Sequence, residues 1–93
     1  MSGSESGSAP LFPLSRWRTG YDRAEVEAFV RRLRTGPAGG VSANQVRYQQ
    51  FSPARWARAG YDVVAVDAYL EAVAGRVEGG GSPDGVPVPG PGR

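Results

Sequence analysis

"RTGYDRAEVEAFV" occupies residues 18–30, and "RAGYDVVAVDAYL" occupies residues 58–70. The block is one helix-start device written twice. Asp22 stands where a helix N-cap belongs, its carboxylate free to accept from the N–H groups of the first turn. Glu25, three residues on, matches a capping box that reaches back to the Asp22 N–H. Tyr21 before the cap and Val26 after it have the spacing of a hydrophobic staple. Gly20 lets the chain turn sharply into the helix, with a positive φ within its reach. In the second copy Gly60, Tyr61, Asp62 and Val66 keep these places, but Ala65 replaces the glutamate and leaves the box incomplete. Val63 and Val64 are weak helix formers in a first turn, so this start is expected to rely on tertiary contacts.

Past the caps the period is helical. Val26, Phe29, Val30 and Leu33 fall in one arc, and Val66, Tyr69, Leu70 and Val73 are their counterparts, with Val77 extending the second stripe. These residues are expected to form a core or a dimer seam. The first helix should end near Leu33 or Arg34, before Gly36 and Pro37, and the second near Glu78, before three glycines. Arg31, Arg32 and Arg34 suit a helix C-terminus. The two stripes are expected to face each other, within one chain or across a homodimer.

Each copy has an aromatic lead-in: Phe12, Arg16 and Trp17 in "FPLSRWR", and Phe51, Arg55 and Trp56 in "FSPARWAR". From Trp to Gly the second copy is one residue longer, which a loop tolerates and a helix in register does not. Both lead-ins are therefore read as irregular. The candidate contact residues are Arg16, Trp17 and Arg18 with Arg55, Trp56 and Arg58. A tryptophan beside arginine suits packing under a guanidinium, and equally an exposed anchor for a partner or for lipid. Ahead of the second lead-in, Ser42 is a good N-cap for a short helix over 43–48. The first copy has no such helix.

The bounds are narrow. Ninety-three residues allow one small domain. Composition predicts disorder for 1–10, rich in Ser and Gly, and for the Gly/Pro-rich 79–93. That leaves a truncated first repeat at 11–34, a linker at 35–40 and a second repeat at 41–78. The chain has no Cys and no His, which removes disulfides, thiolate metal sites and the usual general base. No metal, cofactor or small-molecule substrate is expected, and no enzymatic activity. The start lacks a basic region followed by an apolar run, so no signal peptide is expected. A cytoplasmic protein follows, with peripheral contact at the inner face of the cell membrane as an option. The net charge of +2 is too small to indicate nucleic-acid binding. Its distribution is uneven: nine Arg oppose Asp22, Glu25 and Glu27 over 11–60, whereas Arg76 stands against four carboxylates over 61–78.

"SANQVRYQQFSPARWARAGYDVVAVDAYLEAV", from Ser42 to Val73, resembles the N-terminal DivIVA domain of bacteria, particularly its actinobacterial form. Phe12 to Leu33 is a partial copy, strongest in "GYDRAEVEAFV". The resemblance implies an all-α protein without enzymatic activity that binds protein partners in cell division, polar growth or cell-envelope organisation, or that binds anionic membrane. Two features depart from the family pattern. No heptad coiled coil follows either block, and Arg18-Thr19 and Arg58-Ala59 stand where the family has an aromatic-Arg pair. A protein partner is favoured over lipid, and nucleic acid ranks below both.

Overall fold

The computed structural model describes residues 10–15, 20–35, 41–54 and 59–91. Among them lie three α-helices: α1 (Arg23–Thr35), α2 (Ala43–Arg47) and α3 (Val63–Glu78). A single 3-10 turn, Pro83–Gly85, follows. The described residues contain no extended strand, only isolated antiparallel bridges.

The helices begin where their caps place them. Asp22 Oδ1 accepts from the N–H groups of Ala24 at 2.8 Å and Glu25 at 3.2 Å. Asp62 Oδ2 accepts from the Ala65 N–H at 3.3 Å. α2 is only five residues long, too short to persist alone. It is held by a full capping box: Ser42 Oγ accepts from the Gln45 N–H at 3.1 Å, and Gln45 Oε1 accepts from the Ser42 N–H at 2.8 Å.

The predicted stripes are the core. Val26, Phe29, Val30 and Leu33 of α1 are buried, as are Val66, Tyr69, Leu70 and Val73 of α3. One apolar cluster contains all eight, together with Phe12, Val46, Tyr61 and Ala74. Fully burying one such side chain is worth about 1.5–3 kcal/mol, so a dozen of them dominate the stability of so small a chain. No Cα of α1 comes within 8 Å of a Cα of α3. Both stripes belong to one cluster, which also holds the lead-in Phe12 and has Phe51 packed against it. No second chain is required to cover either stripe.

What joins the halves is a backbone crossing. Tyr21 and Tyr61 each donate an N–H to the other's carbonyl, both at 3.0 Å. Gly60 O accepts from the Ser15 N–H and Gly20 O from the Ala54 N–H, each at 2.8 Å. The N–H groups of Asp62 and Asp22 donate to Pro13 O and Ser52 O, again at 2.8 Å. The pattern is reciprocal: each lead-in pairs with the Gly-Tyr-Asp of the other copy, not its own.

This crossing corrects two expectations. Gly20 does not take a positive φ; among the described glycines only Gly80 and Gly90 do. Glycine is needed at 20 and 60 because the backbones touch. A Cβ on Gly20 would drive into the Tyr61 carbonyl, and one on Gly60 would lie 2.6 Å from Tyr21 O. Nor does Glu25 close a capping box. The Asp22 N–H is already donated to Ser52 O, and Glu25 Oε1 accepts instead from the Ser52 N–H at 2.7 Å. The second copy explains itself in the same way. Pro13 occupies the place of Ser52 and has no N–H, so Ala65 opposite leaves no donor unmet.

The Gly/Pro-rich segment also differs from its expected disorder. After Gly80, at φ 89°, the chain turns back. The Arg76 side chain donates from Nε to Ser82 O at 2.9 Å. Pro83 is buried, Val86 and Val88 pack on the core, and the Gly90 N–H donates to Leu11 O at 2.8 Å. Glycine and proline lower the apolar content of the segment, but these three apolar residues find the core edge, and Arg76 fixes its start.

Candidate interaction site

The crossing gathers the ends of both Trp/Arg segments. Ser15 and Gly20 flank the first, and Ala54, Ala59 and Gly60 flank the second. Ser15 is bonded to Gly60, Ala54 to Gly20, and the two tyrosines to each other. Four residues therefore span one pair of anchors and five the other, which accommodates the one-residue difference between the copies. Arg16, Trp17 and Arg18, and Arg55, Trp56 and Arg58, lie outside the described residues.

Around these anchors the side chains repeat the exchange. Phe12 packs edge-on against Tyr61 and Tyr69 of the second copy, with ring centroids 5.3 Å apart in both pairs. Phe51 packs against Tyr21 and Phe29 of the first, at 5.3 and 5.8 Å. Such tilted and edge-on pairs add about 0.5–1.5 kcal/mol beyond area burial. The Tyr21 hydroxyl donates to Asp67 Oδ1 at 2.9 Å, and the Tyr61 hydroxyl donates to Glu27 Oε2. The tyrosines read as local staples thus give their hydroxyls to the opposite helix. The Tyr61 hydroxyl also accepts from the Leu11 N–H at 3.0 Å, and the Arg23 guanidinium lies 5.3 Å from its ring centroid.

These settings keep the phenols neutral. Burial raises the Tyr61 pKa, with Glu27 adding to the rise, and burial followed by Asp67 raises that of Tyr21. Tyr69 is raised by burial too, with the Arg34 guanidinium opposing it. The Tyr69 hydroxyl is buried without a hydrogen bond of ordinary geometry; Arg34 is close enough to act on its charge, while its Nη1 donates to Val86 O at 3.4 Å.

The charged residues of the helices divide. Arg47 of α2 clamps α3, reaching Glu71 at 3.1 Å and Glu78 at 2.9 Å. It holds the Glu78 carboxyl below the usual range, while the two carboxylates raise its own pKa further. Both glutamates are well exposed, so this network is worth little beyond fixing where α2 sits. The acidic helix is thus partnered by an arginine that sequence patterning did not single out, though its place in "SANQVR" just ahead of Phe51 marks it. Arg31 and Arg32 remain exposed on α1. Among the described residues no group of three or more His, Cys, Asp or Glu could hold a metal, and no helix is long and apolar enough to cross a membrane.

Comparison of the chain with family models, curated proteins and solved structures finds no match.

Proposed function

We propose that this chain is a protein–protein interaction module resembling DivIVA domains, accessory to cell division, polar growth or cell-envelope organisation. One observation carries the reading. The reciprocal crossing ties the residues that flank both Trp/Arg segments to one place, which supports a single chain bringing two aromatic-cationic segments to one partner. Two such segments act as one bivalent surface, in which the second contact is intramolecular once the first is made.

A protein partner fits better than a lipid surface. α1 stops at Thr35 and α3 at Glu78, and neither continues into a coiled coil that would array many copies. Interfacial attraction of about 1 kcal/mol per arginine, screened within a Debye length, needs such an array to hold a protein on a membrane. A pull-down from native lysate with the intact chain and with Trp17→Ala/Trp56→Ala tests the reading. A partner retained by the intact chain and lost with the double variant supports it. Salt-sensitive co-sedimentation with anionic vesicles, lost in the same variant, replaces it with the membrane reading.

A further inference from the structure

The C-terminal segment shows what an extended segment does at the edge of this fold. It lays Val86 and Val88 on the core and bonds Gly90 N–H to the carbonyl of Leu11, the residue before Phe12. The matching residue before Phe51 is Gln50. Among the described residues no other segment bonds to its backbone, and its carbonyl accepts only the Gln49 side-chain amide, at 2.9 Å. Beside Gln50 opens a groove of about 480 Å³ between α1 and α2. Val41 and the face of Tyr48 offer its apolar surface over the buried Phe29, while Asn44, Gln50 and the Tyr48 hydroxyl supply polar groups. Tyr48 is 72% exposed, although it is one of only four tyrosines in the chain. Among the described residues that line the groove, Arg32, whose guanidinium lies 5.7 Å from the Phe29 ring centroid, is the one charge, and none is a carboxylate.

We propose that this groove docks an extended, proline-containing segment of a partner protein that carries a carboxylate. A polyproline-type chain leaves its carbonyls unpaired. The Asn44 amide, the Tyr48 hydroxyl and the Gln50 N–H are donors for them. Alternate apolar side chains rest on Val41 and the face of Tyr48, the exposed aromatic of the groove. Arg32, with no acid among the described lining residues, selects the carboxylate. The chain's own "VPVPG" fits the apolar part of this description but is held at Leu11 and has no acid. The proposal draws on none of the Trp/Arg residues, so it stands or falls separately from the bivalent surface above.

The probe is the acetylated, amidated peptide EVPVPG, titrated into the isotope-labelled full chain and followed by amide shifts. Controls are QVPVPG and EGSGSG. Saturation below about 1 mM is expected, with the largest shifts at Asn44, Gln45, Tyr48 and Gln50. Tyr48→Ala and Arg32→Gln should each weaken binding about tenfold, as truncated aromatic and arginine anchors do. Both side chains are exposed, and unchanged thermal midpoints will establish that the variants fold. QVPVPG should bind the native chain about tenfold more weakly, and Arg32→Gln should no longer distinguish the two peptides. Failure to saturate, equal binding of EGSGSG, or shifts centred on Leu11 and 86–90 from displacement of the chain's own segment would each overturn the proposal.

Discussion

The two sides of the crossing are made from the same bonds and are closed to different degrees. Phe12 is 0% exposed, and so is Tyr61, against which it packs. Their counterparts Phe51 and Tyr21 are only half-buried. The difference comes from the segments that are not repeated. The 81–91 segment runs over the Phe12 side and bonds to Leu11, while on the Phe51 side α2 folds against α3 and leaves a groove next to Gln50. The repeat supplies pairing, and its unrepeated flanks decide which side is sealed and which is left accessible.

The sharpest way to break the comparison is to remove the pairing that both sides share. Gly20→Ala puts a methyl group into the Tyr61 carbonyl, with backbone on both sides and nothing flexible to yield. Loss of cooperative unfolding by circular dichroism is expected; a native-like melt would mean that the crossing is not what joins the halves.

Next come the aromatics. Phe12→Ala empties a fully buried site and should cost about 3–5 kcal/mol. Phe51→Ala, half-buried beside the groove, should cost clearly less. Chemical denaturation of both variants measures the difference, and equal losses would remove the asymmetry drawn here.

Alkaline pH acts on tyrosines of both sides. Tyr21, Tyr61 and Tyr69 all have pKa values raised above 10.0 in the folded chain. The sign follows: their contribution is intact below pH 10.0, where the unfolded phenols are also neutral, and is lost as pH rises through the folded values. Stability should therefore be flat up to about pH 10 on this account and fall above it. Tyr61→Phe should soften that fall; an identical alkaline profile would exclude Tyr61 as a contributor.

The smallest effect sharpens the comparison at one hydrogen bond. Glu25→Ala strips the acceptor from the Ser52 N–H and should cost about 1 kcal/mol. Asp22→Ala, which removes a cap serving two N–H groups, should cost about 1 kcal/mol or slightly more. In a Ser52→Pro background, which copies Pro13, Glu25→Ala should be nearly silent. A double-mutant cycle without coupling would return Glu25 to the role of a local capping residue.

What the sequence disclosed and what it hid separate by distance along the chain. Caps, helix ends and apolar faces depend on neighbours within one or two turns, and Asp22, Ser42, Val26 to Leu33 and Val66 to Val73 were legible for that reason. The exchange was not. A repeat looks self-contained, yet Glu25 meets Ser52 and Tyr21 meets Asp67, pairs that no local spacing marks. Glu25 was misread because its three-residue offset from Asp22 also satisfies a capping box. Composition hid the C-terminal segment, since Gly and Pro outweigh Val86 and Val88 in any average. The groove was hidden too: Phe29 reads as core and Gln50 as loop, and only the fold sets them side by side.

The order in which this chain can fold follows from the crossing. Among the described residues, the backbone bonds that fix the start of α1, from the Tyr21 pairing to the Ser52 and Ala54 contacts, come from residues beyond the linker. A nascent chain that has released only its first half thus holds an amphipathic helix with an uncovered apolar face and nothing to cover it. The pairing must close a long loop before any helix gains its tertiary support, which is a high-contact-order route for an all-helical protein. Folding should be slower than the helix content suggests and begin only after Tyr61 has left the ribosome; until then the apolar face of α1 is exposed to whatever binds unfolded apolar segments.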